Sequence, residues 1–189
     1  MAIHSLVLII HVTAVFVLCS VLCVEGLSLV HLRGASTLAE ALPWIEPLRR
    51  LRVFAVGSVL PIQISGIYLV YRTSSFDKAW ANVAMVALPL LMVPFGNITA
   101  RRMRAIRQVF RSKEASKPES LGMLRAPFLK ISLGVRTAAF FGIFILVSIK
   151  PGLWGSVGFV GTFLILSLLL SVVPWRSSKS MTAPGAGVD

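Results

Sequence analysis

Residues 3–30, IHSLVLIIHVTAVFVLCSVLCVEGLSLV, decide the fold of this chain. As a helix rising 1.5 Å per residue, the stretch reaches about 42 Å, which exceeds the roughly 30 Å hydrocarbon core of a bilayer. It also contains two histidines, His4 and His11, and one glutamate, Glu25. The stretch therefore predicts a membrane-spanning helix with polar groups at membrane depth.

The three polar groups share one side of this helix. His4, His11 and Glu25 fall in one heptad phase, and a helix drifts only about 20° per seven residues. An ionisable stripe within a membrane must face other protein segments and not lipid. We therefore expect the remaining helices to gather on that side, and we take the stripe as the first candidate site.

The composition supports a membrane protein. The 189 residues are 56% hydrophobic and only 14% charged, and the mean hydropathy is +0.84, which is too apolar for a soluble domain of this size. A cleaved signal peptide is not expected, because no basic residue precedes the apolar stretch and no small-residue cleavage site follows it. The first helix should therefore remain in the mature protein.

Apolar segments repeat along the chain. They predict an all-α, polytopic bundle of five transmembrane helices within residues 1–175, followed by a disordered tail at 176–189. Pro89 and Pro94 predict a bend or local unwinding in the third helix, and Gln63 in the second is expected to bond to a neighbouring helix. The predicted helices are 3–32, 53–71, 80–100, 127–149 and 154–175.

The net charge of +12 lies mainly between the apolar segments. Residues 101–114 begin with RRMRAIRQVF, in which Met103, Ile106 and Phe110 recur at helical spacing among arginines. This pattern predicts a basic amphipathic extension of the third helix that lies on anionic lipid head groups. A docking surface for an acidic protein is the alternative, and nucleic-acid binding is not expected.

The basic residues also predict the orientation. Sixteen Lys and Arg residues fall in the first and third connections and the tail, against three in the second and fourth connections. Because positive loops stay cytoplasmic, the N-terminus is expected outside and the C-terminus inside. The expected location is the bacterial inner (plasma) membrane, as a multi-pass protein.

Two further patterns concern helix packing. Gly155, Gly158 and Gly161 give the fifth helix a small face, which predicts close packing within the protein or between copies of it. Cys19 and Cys23 are four residues apart on one helix, a geometry that disfavours a disulfide, so we expect them to behave as small apolar residues.

Three short motifs carry a resemblance to a known family. They are Ile10-His11-Val12, Ser65-Gly66-Ile67-Tyr68 and Lys150-Pro151-Gly152. The chain resembles a family of small bacterial integral membrane proteins of unknown function that is distantly similar to the CopD copper-resistance and HemJ protoporphyrinogen-oxidase-like membrane proteins. The resemblance implies a bundle whose first-helix histidine, His11 here, binds b-type haem or takes part in redox chemistry.

The chain departs from a two-histidine haem site, because no histidine lies on another helix. A haem would need Met85 or Met92, a lysine, another subunit or an open position opposite His11. The alternative function is a non-enzymatic transporter of a small solute, or a scaffold subunit, that uses a stripe of His11, Glu25 and Arg136. A third interpretation makes His11 a structural imidazole bonded to a hydroxyl or carbonyl. Whether the protein is an enzyme stays open.

The last expectation concerns the partner of Glu25, because a lone carboxylate in hydrocarbon is costly. Arg136 and Lys150 are separated by 14 residues, as are His11 and Glu25. If helices one and four are antiparallel, a Glu25–Arg136 ion pair would set Lys150 level with His11. The competing interpretation is that Arg136 and Lys150 only extend to opposite head-group layers.

Overall fold

The computed structural model describes residues 2–35, 37–111 and 127–172, which consist of helices and short turns with no strand. Each helix contains a segment long and apolar enough to cross a membrane, so the expectation of an all-α multi-pass chain is confirmed at that level. In chain order the helices are α1 (Ala2–Gly34), α2 (Leu38–Arg72), α3 (Ala79–Arg111), α4 (Pro127–Ile149) and α5 (Leu153–Val172).

The first four helices form a ring. Consecutive helices contact one another, and α1 closes the ring through contacts with α4, while α5 packs outside against α4 and α3. The most buried membrane segment accordingly belongs to α4, and the least buried belongs to α5. The polar stripe of α1 can therefore meet both α2 and α4.

The second helix begins well before the predicted residue 53. Thr37 adopts an extended conformation and its side chain accepts a hydrogen bond of 3.4 Å from the Glu40 backbone N–H, so it caps the helix. Ala41, Ile45 and Leu48 recur at helical spacing and are buried. The expectation of a polar loop here was wrong, because the cap and this apolar face stabilise a helix despite Pro43 and Pro47.

The third helix runs unbroken through Pro89 and Pro94 to Arg111, so of the bend or local unwinding expected there, the unwinding does not occur. Its extension is helical as predicted, but Met103 and Ile106 are buried. They join a core cluster with residues of α1, the start of α2 and the start of α4. Met103 and Ile106 thus pack on protein and not on head groups, which the exposed arginines remain able to meet. The side chain of Phe110 lies outside the described part of the chain.

Three predicted segments lie outside the described residues. They are residues 112–114 of the basic extension, residues 173–175 at the end of the fifth helix and the tail at 176–189. The predicted bounds of the fourth helix, 127–149, coincide with Pro127–Ile149.

Close packing between α4 and α5 uses glycines of α4. A Cβ on Gly134 would lie 2.6 Å from Ser167 Oγ, and one on Gly142 would lie 3.4 Å from Phe163 Cβ. A Cβ on Gly158 or Gly161 would meet nothing within 4 Å. A Cβ on Gly155 would lie 2.9 Å from Pro151 Cβ, just before α5, so only Gly158 and Gly161 of the small face have open space. For these two glycines, contact between copies is the remaining form of that expectation.

Candidate functional site

The C-terminal half of α1 is joined to α4 by an ion pair. Arg136 Nη2 donates a hydrogen bond of 2.7 Å to Glu25 Oε1, and its Nε donates to the Ser132 carbonyl at 3.4 Å. Glu25 and Arg136 are only 8% and 4% exposed. The structure therefore brings together the two residues that the 14-residue spacing predicted as partners, and each neutralises the other away from lipid.

The N-terminal half of α1 is joined to α2 instead. His11 Nδ1 lies 2.9 Å from Ser65 Oγ, and the Ser65 hydroxyl donates its single proton to the Pro61 carbonyl. The proton of the His11–Ser65 bond therefore comes from the imidazole. In the neutral ring, this leaves the lone pair on Nε2, which is the arrangement that a ligating histidine requires.

Gly66 lies beside the imidazole. A Cβ added there would lie 3.5 Å from His11 Cε1, so the ring edge rests against the α2 backbone. The two motifs that contain His11 and Ser65-Gly66 are thus in contact, although they are 54 residues apart in the chain.

Lys150 does not pair with His11, so the predicted outer rung between them was wrong. The Lys150 ammonium lies 5.7 Å from the centre of the Trp80 ring, at the start of α3. The residue follows α4, is exposed, and has a φ of 55°. The physical reason is that α1 packs mainly along α2, so serine and not lysine meets His11.

Gln63 joins α2 to α3. Its Nε2 donates a hydrogen bond of 2.9 Å to the Met85 carbonyl. That carbonyl would ordinarily accept from the N–H of residue 89, which is a proline and has none. The glutamine therefore replaces a missing backbone bond, and the interhelical contact expected from the sequence is present.

A third polar contact, between α3 and α4, was missed by the sequence analysis. Ser132 Oγ donates to the Phe95 carbonyl at 2.9 Å, and Thr99 Oγ1 lies 2.6 Å from Ser132 Oγ. Both side chains are buried. Isolated hydroxyls are common in membrane helices and often bond to their own backbone, so only their shared depth on neighbouring helices marks them as partners.

His31 lies in the last turn of α1. Its ring stacks on Trp44 with centroids 4.0 Å apart and an interplanar angle of 18°. Its Nδ1 donates to the Leu27 carbonyl one turn earlier at 2.9 Å. The contact ties the end of α1 to the early part of α2, a part that the sequence analysis had assigned to a loop.

The methionines considered as haem ligands have other surroundings. Met92 is buried in a cluster that includes Ala14 and Leu18 of α1, so a macrocycle could not lie between Met92 and α1 without displacing that core. Met85 contributes its carbonyl to Gln63. No group of three or more His, Cys, Asp or Glu side chains gathers as a metal site among the residues described. Met92 therefore fits poorly as a second haem ligand opposite His11.

Comparison with other proteins does not add a function. No family model, curated protein or solved structure matches this chain. The resemblance to CopD and HemJ stays an interpretation of three short motifs. The contacts between the helices are therefore the basis for a proposed function.

Proposed function

We propose that this protein is a non-enzymatic scaffold subunit of the bacterial inner membrane, with its N-terminus outside and its C-terminus inside. The observation that carries the proposal is the use of its intramembrane polar groups. Glu25, His11 and Gln63 each bond to a neighbouring helix. Groups that hold helices together in this way support a fixed frame better than a hydrated path for a solute.

Charge supports the proposed orientation. Arg136 is buried and does not count as a loop residue, but fifteen basic residues remain on the proposed inner side against three on the outer side. The exposed arginines Arg101, Arg102 and Arg104 lie near the C-terminal end of the α3 span, Ala79–Ile106, where they are placed to meet anionic head groups.

Assembly would use the face of α5 that points away from the rest of the bundle. Gly158 lies on the side of α5 opposite the buried Val160, because two residues turn a helix through about 200°. The open space around Gly158 and Gly161 leaves this small face for the helix of a second copy. We therefore include homo-oligomerisation in the proposal.

Cross-linking tests the scaffold. In a Cys19→Ser, Cys23→Ser background, Gly158→Cys should form a disulfide-linked dimer in native membranes on mild oxidation. Gly57→Cys is the matched control, since Gly57 on α2 is also exposed and has open space. Equal cross-linking at both positions, or none at residue 158, would contradict assembly through α5.

Redox or haem chemistry is the second candidate, favoured by the Nε2 lone pair of His11. An absorption spectrum of protein purified in detergent from haem-replete cells separates the two functions. The scaffold predicts a colourless protein. A Soret band that His11→Ala removes, and that the Ser65→Ala variant weakens or shifts, would replace the scaffold proposal with a haem-binding one.

A further inference from the structure

A groove follows the contact between α1 and α4 on the outside of the bundle. It consists of two adjoining depressions, of about 490 and 160 Å³, that share Gly26, Val30 and Leu133 as lining residues. Cys19 lines one end and Arg33 the other. These residues are 14 positions apart on α1, so the groove is about 21 Å long.

The wall of the groove is almost entirely apolar over most of this length. Leu22, Leu27, Phe140 and Phe141 line the larger depression together with the shared residues. Leu27 and Phe141 are exposed at its rim, so it opens towards the lipid. One leaflet contributes about 15 Å of hydrocarbon to a bilayer. The groove is therefore long enough for an extended acyl chain.

The smaller depression ends in positive charge. Arg33 and Lys130 both line it. Arg33 Nη1 is buried and has no hydrogen-bond partner among the residues described. A buried guanidinium donor without an acceptor is unfavourable, and an anion supplies the strongest acceptor. The Lys130 ammonium donates a hydrogen bond of 2.9 Å to the Leu170 carbonyl. This bond keeps the Lys130 charge at the same end of the groove as Arg33.

We propose that the groove binds one acyl chain of an anionic phospholipid and that the phosphate accepts hydrogen bonds from Arg33. A phospholipid presents an apolar chain and then a phosphate, in the order in which the groove presents its apolar wall and its cations. Arg33 is one residue from the end of α1, so the phosphate lies at head-group depth. The inference goes beyond the scaffold proposal and does not depend on it.

Native mass spectrometry of the full-length protein in detergent tests the lipid site. The probes are phosphatidylglycerol and phosphatidylcholine with identical acyl chains, added in separate titrations. We expect phosphatidylglycerol to be retained about tenfold more tightly, as one charge-assisted hydrogen bond would give. Arg33→Ala should remove this preference, and Arg33→Lys should restore part of it. The control is Arg104→Ala, which removes an exposed cation of α3 that does not line the groove.

A second variant tests the acyl chain independently of the charge. Gly26→Leu places a side chain in the groove and should weaken retention of both lipids, whereas Gly57→Leu, on an open surface of α2, should weaken neither. Equal retention of the two lipids by the wild type would overturn the proposal, as would identical behaviour of Arg33→Ala and Arg104→Ala. Displacement of phosphatidylglycerol by millimolar inorganic phosphate would indicate a free-anion site. Loss of lipid on dimerisation would assign the groove to a second copy. Either result would overturn the lipid assignment.

Discussion

The Gln63 side chain on α2 donates a hydrogen bond of 2.9 Å to the Met85 carbonyl on α3. Pro89 lies four residues after Met85 and lacks the N–H that would otherwise bond to this carbonyl. A kink-forming proline and a polar side chain of another helix therefore form one unit. In lipid, where no water can satisfy a free carbonyl, the glutamine stabilises a backbone that the proline leaves incomplete.

This unit gives the first prediction. Gln63→Met should lower the free energy of unfolding by about 1–2 kcal/mol, because the Met85 carbonyl loses its donor. In a Pro89→Ala background the restored N–H bonds to that carbonyl, so the same change should cost less. Reversible unfolding in mixed micelles measures all four corners of the cycle. Pro94→Ala serves as the control background, in which the cost should be unchanged, and equal costs in all backgrounds would contradict the unit.

The second prediction concerns the Glu25–Arg136 ion pair. Glu25→Ala should destabilise the protein by about 3–5 kcal/mol, because it leaves a buried guanidinium without its carboxylate. Glu25→Arg should prevent accumulation of folded protein, and adding Arg136→Glu should restore it, as judged by size-exclusion chromatography in detergent.

The exposed pair Asp77–Lys78, with atoms 3.1 Å apart, is the control for the ion-pair test. Asp77→Ala should leave the thermal unfolding temperature unchanged, since solvent screens that pair. A double variant Glu25→Arg, Arg136→Glu that accumulates no better than Glu25→Arg alone would show that the two charges do not depend on each other.

The third prediction separates two glycine positions. Gly134→Val should destabilise the monomer by about 1–3 kcal/mol, because its side chain would overlap Ser167 and Ser171 of α5. Gly158→Val meets open space within the chain. It should leave monomer stability unchanged and reduce only the oligomeric mass. Thermal unfolding and light scattering in detergent measure the two effects, and a reversed order of destabilisation would place the tight helix contact on the other face of α5.

The fourth prediction concerns orientation. In a background without cysteines, Lys78→Cys and Arg104→Cys introduce thiols at exposed positions near opposite ends of the α3 span, Ala79–Ile106. A membrane-impermeant maleimide should label residue 78 in intact cells and residue 104 only after permeabilisation. The opposite labelling pattern would reverse the proposed topology and place the Arg33 end of the groove in the outer leaflet.

Short sequence patterns near the helix ends explain why the bounds of α4 were predicted correctly and the start of α2 was not. The bounds of α4 followed from Pro127 at its start and from Lys150-Pro151-Gly152 at its end. The early start of α2 was missed although Thr37-Leu38-Ala39-Glu40 has the pattern of a helix-capping box. Two prolines in the following turns favoured a loop, and only the core against which Ala41 and Ile45 pack outweighs them.

The sequence by itself determined that Glu25 and Arg136 could meet, because helix geometry fixes the depth and side of residues in apolar segments of known direction. Only the tertiary structure decided that His11 meets Ser65 and not Lys150. The position of His11 along its helix is a property of α1 alone. Its neighbour, however, depends on which helix packs against the N-terminal half of α1. That choice is made by side-chain packing along the α1–α2 contact, where the imidazole lies beside Gly66. Spacing along one chain segment carries no information about that packing.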